Sequence, residues 1–264
     1  LDLTSVPNLK SLRCDQNSLK SLDLSNNQSL TSINCTYNNL TSLDLSKNTS
    51  LANVTNAMIG NQSVSLKANF DGNMIVIPFE NSNLDNDNYV SSTLDDYGDG
   101  SGFNFASFIA YDVSEIDGGI EYYCNTKLAG SENMKVSVTV SRDFHQVSFY
   151  ADSENTSLIG RAFANDGQSV TAPEIKNPPQ CKVLDTWSDT LDNVTGDKSI
   201  YANWKDAHSY SLSSFSNDTA TVKCSACGDT FTLSFINAVN SKKGDEKYLS
   251  LIHISEPTRQ EAIS

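Results

Sequence analysis

Apolar residues recur through the first quarter of the chain with a fixed beat. Leu1-x-Leu3, Leu12-x-Cys14, Leu22-x-Leu24, Ile33-x-Cys35 and Leu43-x-Leu45 follow at alternating steps of eleven and ten residues, a full period of 21, before a decaying Val54-x-Asn56. Asn17, Asn27, Asn38 and Asn48 trail these pairs at a constant offset, and Leu9, Leu19, Leu30, Leu40 and Leu51 close the half-turns. Alternation over runs this short predicts strands, and self-similarity at this period predicts a solenoid of stacked turns. After Val54 the texture changes. VSLKANF, MIVIPF, FNFASFIAY, IEYYC and MKVSVTV are β-prone runs separated by Asn, Asp and Gly clusters, which predicts an all-β, sandwich-like segment over 63–142. A short solenoid must have its open end covered, and this segment is placed to cap it.

The segments Leu9-x-x-Leu12-x-Cys14-x-x-Asn17-x-Leu19 and Leu30-x-x-Ile33-x-Cys35-x-x-Asn38-x-Leu40 resemble the leucine-rich repeat at every key position, over roughly residues 1–62. Neighbouring turns then stack ~4.8 Å apart, and equivalent side chains form ladders in a narrow core. A thiol packs there as a small hydrophobe, so leucine and cysteine can share a position. In-register parallel strands hold two such Cβ atoms beyond the roughly 3.5–4.5 Å that a disulfide prefers, so Cys14 and Cys35 are expected to be unpaired core thiols. The asparagine side chain must satisfy backbone groups at the turn, which leaves that position little freedom.

Between the core residues, Ser11, Arg13 and Asp15, then Ser32, Asn34 and Thr36 with Tyr37, then Asn53 and Thr55, face outward on the predicted strands. If this is the concave face, Arg13, Asp15, Asn34, Thr36, Tyr37 and Thr55 form a candidate recognition surface; tyrosine and arginine are enriched at binding hot spots. The same residues also suit an ordinary solvated strand. Asp2, Asp23 and Asp44 form a second ladder on the alternate half-turn, read as a splayed, solvated edge with a bound cation as the alternative. The loop LDDYGDGSG at 94–102 carries Asp95, Asp96 and Asp99, but it lacks the twelve-residue calcium-loop spacing and reads as a turn.

Residues 143–205 run strand, polar turn, strand, Gly-x-Ser-Val, a Pro-containing loop, a Trp-ended strand, then Val-Thr-Gly-Asp and Ile-Tyr-Ala-Asn-Trp. This order, with Val147, Phe149, Gly167, Val170, Pro173, Trp187, Gly196, Asp197, Tyr201, Ala202 and Trp204, resembles the Listeria–Bacteroides repeat, the internalin-B-type β-grasp module of bacterial surface proteins. Asn155 and Thr156 depart from its usual glycine turn, and Cys181 stands in its glycine-aromatic region. The resemblance implies a spacer or weak adhesion module without chemistry. Alternation of Val147/Phe149 and of Ile200/Ala202/Trp204 predicts one buried sheet face, with both tryptophans structural.

The tail at 206–249 contains Cys224-Ser-Ala-Cys227-Gly with His208 upstream. Two thiolates at this spacing can reach one tetrahedral zinc ion, so Cys224, Cys227 and His208 are candidate ligands; a redox dithiol, a disulfide and a free pair are the other readings. The tail resembles His…Cys-x-x-Cys-Gly tails of surface proteins from gut-type anaerobic bacteria, in which a further cysteine often intervenes. Cys124 reads as a buried thiol. Residues 250–264, including His253, resemble translated sequencing adapter and are left out of the fold reading. With a start at Leu1 inside the repeat, the expectation is a fragment cut at both ends.

The net charge of −14 over 264 residues opposes nucleic acid or an anionic membrane surface as partner. No apolar run approaches the ~18–20 residues of a membrane span. His145 and His208 are the credible histidines for nucleophilic catalysis, neither lies in a catalytic motif, and GDGSG at 98–102 is not a nucleophile elbow. No carboxylate pair stands out, and sequons such as Asn39 and Asn193 follow from Asn/Ser/Thr richness. The expectation is a mainly β, non-enzymatic, extracellular or cell-surface bacterial protein with no obligatory cofactor, binding a protein or glycan through the repeat face. The alternative is a structural spacer that displays a domain encoded elsewhere.

Overall fold

The computed structural model describes residues 1–51, 57–79, 84, 87–97, 99–104, 107–130, 133–216 and 219–234. Val54, Thr55 and the adapter-like 250–264 therefore lie outside the described residues. The described chain is mainly β, with short 3-10 turns and no α-helix among the described residues. It divides into two compact units. Of the described residues, the first holds those in Leu1–Gln146, Ala162–Val170 and Asn193–Asp197; the second holds those in Val147–Arg161, Thr171–Asp192 and from Lys198 onward. The division runs inside the 143–205 segment.

The first unit opens with three short strands, β1 (Ser11–Arg13), β2 (Ser32–Asn34) and β3 (Ala57–Met58), paired in parallel in that order. Leu12 aligns with Ile33, the 21-residue step, but Ile33 aligns with Ala57, three residues later than the expected Val54-x-Asn56. The beat continues past Val54 as Ala57-x-Ile59, with Ile59 buried in the row of Cys14 and Cys35. Inward leucines are sealed: Leu24, Leu30, Leu40, Leu45 and Leu51 are each at most 1% exposed. Cys14 and Cys35 are free and buried among them.

Amide side chains fasten each turn to the one before. Asn38 Nδ2 donates to the carbonyls of Cys14 (2.9 Å), Cys35 (3.0 Å) and Thr36 (3.3 Å), while its Oδ1 accepts from the Leu19 amide at 3.0 Å. Asn17 Nδ2 reaches the Cys14 and Asp15 carbonyls, Asn27 Nδ2 those of Leu3 and Val6, and Asn48 Nδ2 those of Leu24 and Asn27. Gln62 continues the row. Its Nε2 donates to the Cys35 and Ile59 carbonyls at 2.9 Å, and its Oε1 accepts from the Leu40 amide.

Gln62 also begins β4 (Gln62–Lys67). The strands β5 (Asn69–Asp71), β6 (Met74–Pro78), β7 (Tyr89–Ser92), β8 (Gly102–Asn104), β9 (Ser107–Ala110), β10 (Ile120–Cys124) and β11 (Met134–Ser141) follow. They form two four-stranded sheets, β4-β11-β10-β7 and β5-β6-β9-β8. Alternation sends Ile75 and Ile77, Phe108 and Ala110, Tyr122 and Cys124, and Met134, Val136 and Val138 inward. Rings from both sheets interleave, with Phe108 and Tyr122 centred 5.4 Å apart and Phe79 at 5.1 and 5.5 Å from them. Tyr122 Oη donates to the Thr41 carbonyl at 2.7 Å and the Leu45 amide to the Thr126 carbonyl at 2.8 Å, so stack and sheets share one apolar core.

The segment from 143 supplies β12 (Phe144–Tyr150), β13 (Leu158–Asn165), β14 (Lys182–Trp187) and β15 (Lys198–Asp206), a sheet in the order β13-β12-β15-β14. β12 and β15 run parallel with Phe149 opposite Ile200, and β14 returns antiparallel along β15. Val147, Phe149, Ile200 and Ala202 are buried, while both tryptophans are half-buried. Trp187 stacks edgewise on Phe149 at 5.0 Å, and Trp204 Nε1 donates to the Ala151 carbonyl. At the turn that departs from glycine, Asn155 takes the left-handed conformation (φ 57°) and the Asp152 carboxylate accepts the amides of Glu154, Thr156 and Ser157. In the second unit, β16 (Tyr210–Ser216), β17 (Thr219–Cys224) and β18 (Thr230–Ser234) then form an antiparallel meander.

Candidate functional site

The outward face of the N-terminal stack is built by the register of β1, β2 and β3. Arg13 pairs with Asn34, and Asn34 with Met58, which makes a row of three outward side chains. Arg13 is exposed and its Nε donates to Asp15 Oδ1 at 2.9 Å, a contact that fixes the guanidinium and lowers Asp15. Asn34 Oδ1 accepts from the amide of Thr36 and from its hydroxyl at 2.9 Å. Thr36 itself is buried, so it shapes the turn rather than the exposed face. Thr55 and Asn53 lie outside the described residues, and it is Met58, at 54% exposure, that stands beside Asn34 in the row.

A repeated backbone feature sits beside this row. Gln16, Tyr37 and Asn61 all adopt left-handed conformations, with φ of 56°, 57° and 56°. Gln16 N donates to the Thr36 carbonyl at 3.0 Å, and Tyr37 N to the Asn61 carbonyl at 3.1 Å, so the three occupy equivalent places in successive turns. Asparagine tolerates this conformation; for a side chain such as tyrosine it costs roughly 1 kcal/mol. Tyr37 is nevertheless 59% exposed, its ring turned to solvent.

On the alternate half-turn the aspartate ladder has a local purpose. Asp2 Oδ1 accepts from the Thr4 amide, Asp23 Oδ1 from Ser25 N and Asp44 Oδ1 from Ser46 N, at 2.8–3.0 Å. These bonds with the neighbouring hydroxyls hold all three carboxyls below their ordinary value. Asp95, in the acidic loop, likewise accepts from Tyr89 Oη and from the Ser92 amide. Both acidic groups are turn-forming carboxylates.

The third arrangement is a cluster of sulfur and nitrogen donors in the second unit. The structure brings Cys224, Cys227 and His208 together, as their spacing suggests, and adds Cys181; the four ligand atoms all lie within 4.8 Å of one another. Cys181 precedes β14 and His208 precedes β16, while Cys224 and Cys227 frame the turn between β17 and β18. Two strand registers produce the convergence. Lys182 faces Asp206, so Cys181 meets Ala207, whose amide donates to the Cys181 carbonyl at 2.9 Å. Tyr210 faces Cys224, and Ser225 N reaches the Ser209 carbonyl, which sets His208 against the Cys-x-x-Cys turn. Gly228 closes that turn with φ 80° and donates to the Cys224 carbonyl at 3.0 Å.

Within the cluster Cys181 Sγ lies 3.5 Å from Cys224 Sγ, and Cys227 Sγ 3.2 Å from His208 Nδ1. The Cys227 amide directed at its sulfur outweighs desolvation and, with His208 and the Ala226 amide, brings the Cys224 thiol down to about 5. Cys181, hydrogen-bonded to the Cys227 thiol and partly desolvated, is pushed up to about 12. One easily formed thiolate among further sulfur and nitrogen donors is a nucleus for a metal ion. Cys181 escaped the sequence reading because it sits 27 residues before His208, inside a segment with no visible link to the tail.

No family model and no curated protein matches the chain. A solved structure described as the functional domain of InlJ from Listeria monocytogenes, which includes a cysteine ladder, overlaps 53% of this chain and 36% of that one. The identity is 19% and the TM-score 0.30, an overlap too slight to carry a statement about this chain. No helix among the described residues is long and apolar enough to cross a membrane.

Proposed function

We propose that the chain is part of a non-enzymatic, extracellular or cell-surface bacterial protein. In this reading a leucine-rich-repeat stack is continued by β modules, one of them of the β-grasp type, and binds a protein or glycan through the row carrying Arg13, Asn34, Met58 and Tyr37. The observation that supports it best is Tyr37: a 59% exposed aromatic ring at φ 57°, where the equivalent turns carry the polar side chains of Gln16 and Asn61. Strain kept at an exposed position is a functional signature when folding gains nothing from it. Met58 and the pinned Arg13 supply an apolar and a cationic neighbour in the same row, a composition suited to recognition. The formal charge of −14 on the whole chain opposes a polyanionic partner. Burial raises the Cys14, Cys35 and Cys124 thiols, which suits survival outside the cell.

The test is to present the full chain and its Tyr37→Asn variant to a glycan array and to displayed bacterial and host surface proteins. Retention of a partner by the wild type, weakened at least about tenfold in the variant, fits loss of a hot-spot aromatic. A partner bound equally by both proteins, or no partner on either panel, would sink the proposal.

A further inference from the structure

We propose that Cys181, His208, Cys224 and Cys227 form a tetrahedral zinc site that clamps the C-terminal meander to the end of the β14–β15 hairpin. With sulfur about 2.3 Å and nitrogen about 2.0 Å from the ion, the edges of a Cys3His tetrahedron are about 3.5–3.8 Å. The measured separations of 3.5 and 3.2 Å, with all four donors inside 4.8 Å, need only a small adjustment to reach that shape. A disulfide would engage two of these sulfurs and leave a thiol and an imidazole crowded against it; all three cysteines are free.

Three further features favour a metal. Cys181 holds φ 57°, a conformation natural to glycine. A strained backbone that aims a thiol into the cluster is intelligible if the thiol is a ligand. His208 presents Nδ1 to the sulfurs, while its Nε2 lies 3.8 Å from Asp206 Oδ1, and Lys182 Nζ holds that carboxylate at 2.6 Å. A carboxylate behind the distal nitrogen is the usual means of orienting a ligating imidazole. Finally, the meander has little core of its own. Only Ala220, Val222 and Cys224 are buried among its described side chains, whereas Leu212 and Phe215 are 50% and 61% exposed. A three-stranded sheet needs an apolar face or another constraint to persist, and a metal clamp is such a constraint. Three thiolates and a neutral imidazole around Zn2+ leave a net charge of −1, and loading releases whatever thiol protons remain.

The full chain, purified under reducing conditions, should retain one zinc per molecule by native mass spectrometry. Cobalt(II) in its place should give the visible bands of tetrahedral coordination together with thiolate-to-metal charge transfer in the near ultraviolet. Removing zinc with a chelator should speed hydrogen exchange across 208–234 and leave the first unit unchanged. Cys181→Gly keeps the backbone conformation easy, so Trp187 and Trp204 fluorescence should stay native while zinc affinity falls about a hundredfold or more, at least as much as removing an outer support costs; Asp206→Asn should cost about tenfold. Three results would overturn the site: no zinc bound by the reduced wild type, wild-type affinity in Cys181→Gly, or a disulfide among these cysteines that forms regardless of zinc. Should Cys181→Gly fail to fold, the wild-type cobalt spectrum still decides, because octahedral or thiolate-free bands refute the ligand set.

Discussion

Replacing Asn38 by alanine removes four hydrogen bonds, but the loss is not the sum of four. The Cys14 carbonyl keeps the Asn17 side-chain donor, the Cys35 carbonyl keeps Gln62, and the Thr36 carbonyl keeps the Gln16 amide. Only the Leu19 amide, which donates to Asn38 Oδ1, is stripped of that acceptor. One stranded donor and three thinned acceptors in a buried turn predict about 2–3 kcal/mol of destabilisation. Asn17 is exposed, and its alanine variant should cost about 0.5–1 kcal/mol. Together they take both side-chain donors from the Cys14 carbonyl, so the double variant should lose a further ~1–2 kcal/mol beyond the sum. Asn38→Asp should be worse than alanine, because a carboxylate cannot donate and would face three carbonyl oxygens. The readout is urea-dependent labelling of Cys35, whose thiol is fully buried in the folded stack. Additivity within about 0.5 kcal/mol would refute the shared-acceptor account.

Tyr37→Asn should raise the stability of the stack by roughly 0.5–1 kcal/mol, measured by the same labelling, because asparagine suits the left-handed turn; a loss would show that the ring packs. Thiol reagents should modify Cys227 in the metal-free native protein and spare Cys35 and Cys124, which burial pushes up to about 12; fast labelling of either would contradict the fold. Partial burial acts to raise Asp197, but the bidentate Arg142 guanidinium and the Gln146 amide outweigh it and hold this carboxyl below its ordinary value. Its stabilising contribution is therefore complete above about pH 4 and declines as acid protonates it. Asp197→Asn should flatten the acid side of the urea-midpoint profile, and an unchanged slope would remove Asp197 from the account.

The regular part of the molecule was legible because its physics is periodic. A core one side chain wide imposes the same choice every 21 residues, so Leu12 and Ile33, and the asparagines behind them, announce the stack. Ala57 was not legible, since three additional residues shift the beat and alanine is a weak apolar mark. Gln62 was hidden for a related reason: it does an asparagine's work with a longer arm. The aspartate row read as a charge pattern, although its role is local, one carboxylate to the amide two residues on. The thiols of the tail were visible as a motif, whereas Cys181 joins them only through the registers of two hairpins. Asn61 marks the left-handed position that Tyr37 shares, but the longer final step hides their equivalence in the sequence.

Gln62 serves two masters, closing the last turn of the amide row and opening β4. The junction is thus a fixed coupling onto which any number of identical upstream turns can be threaded. Duplicating residues 9–29 in place would lengthen the repeat array without disturbing how it meets the sheets.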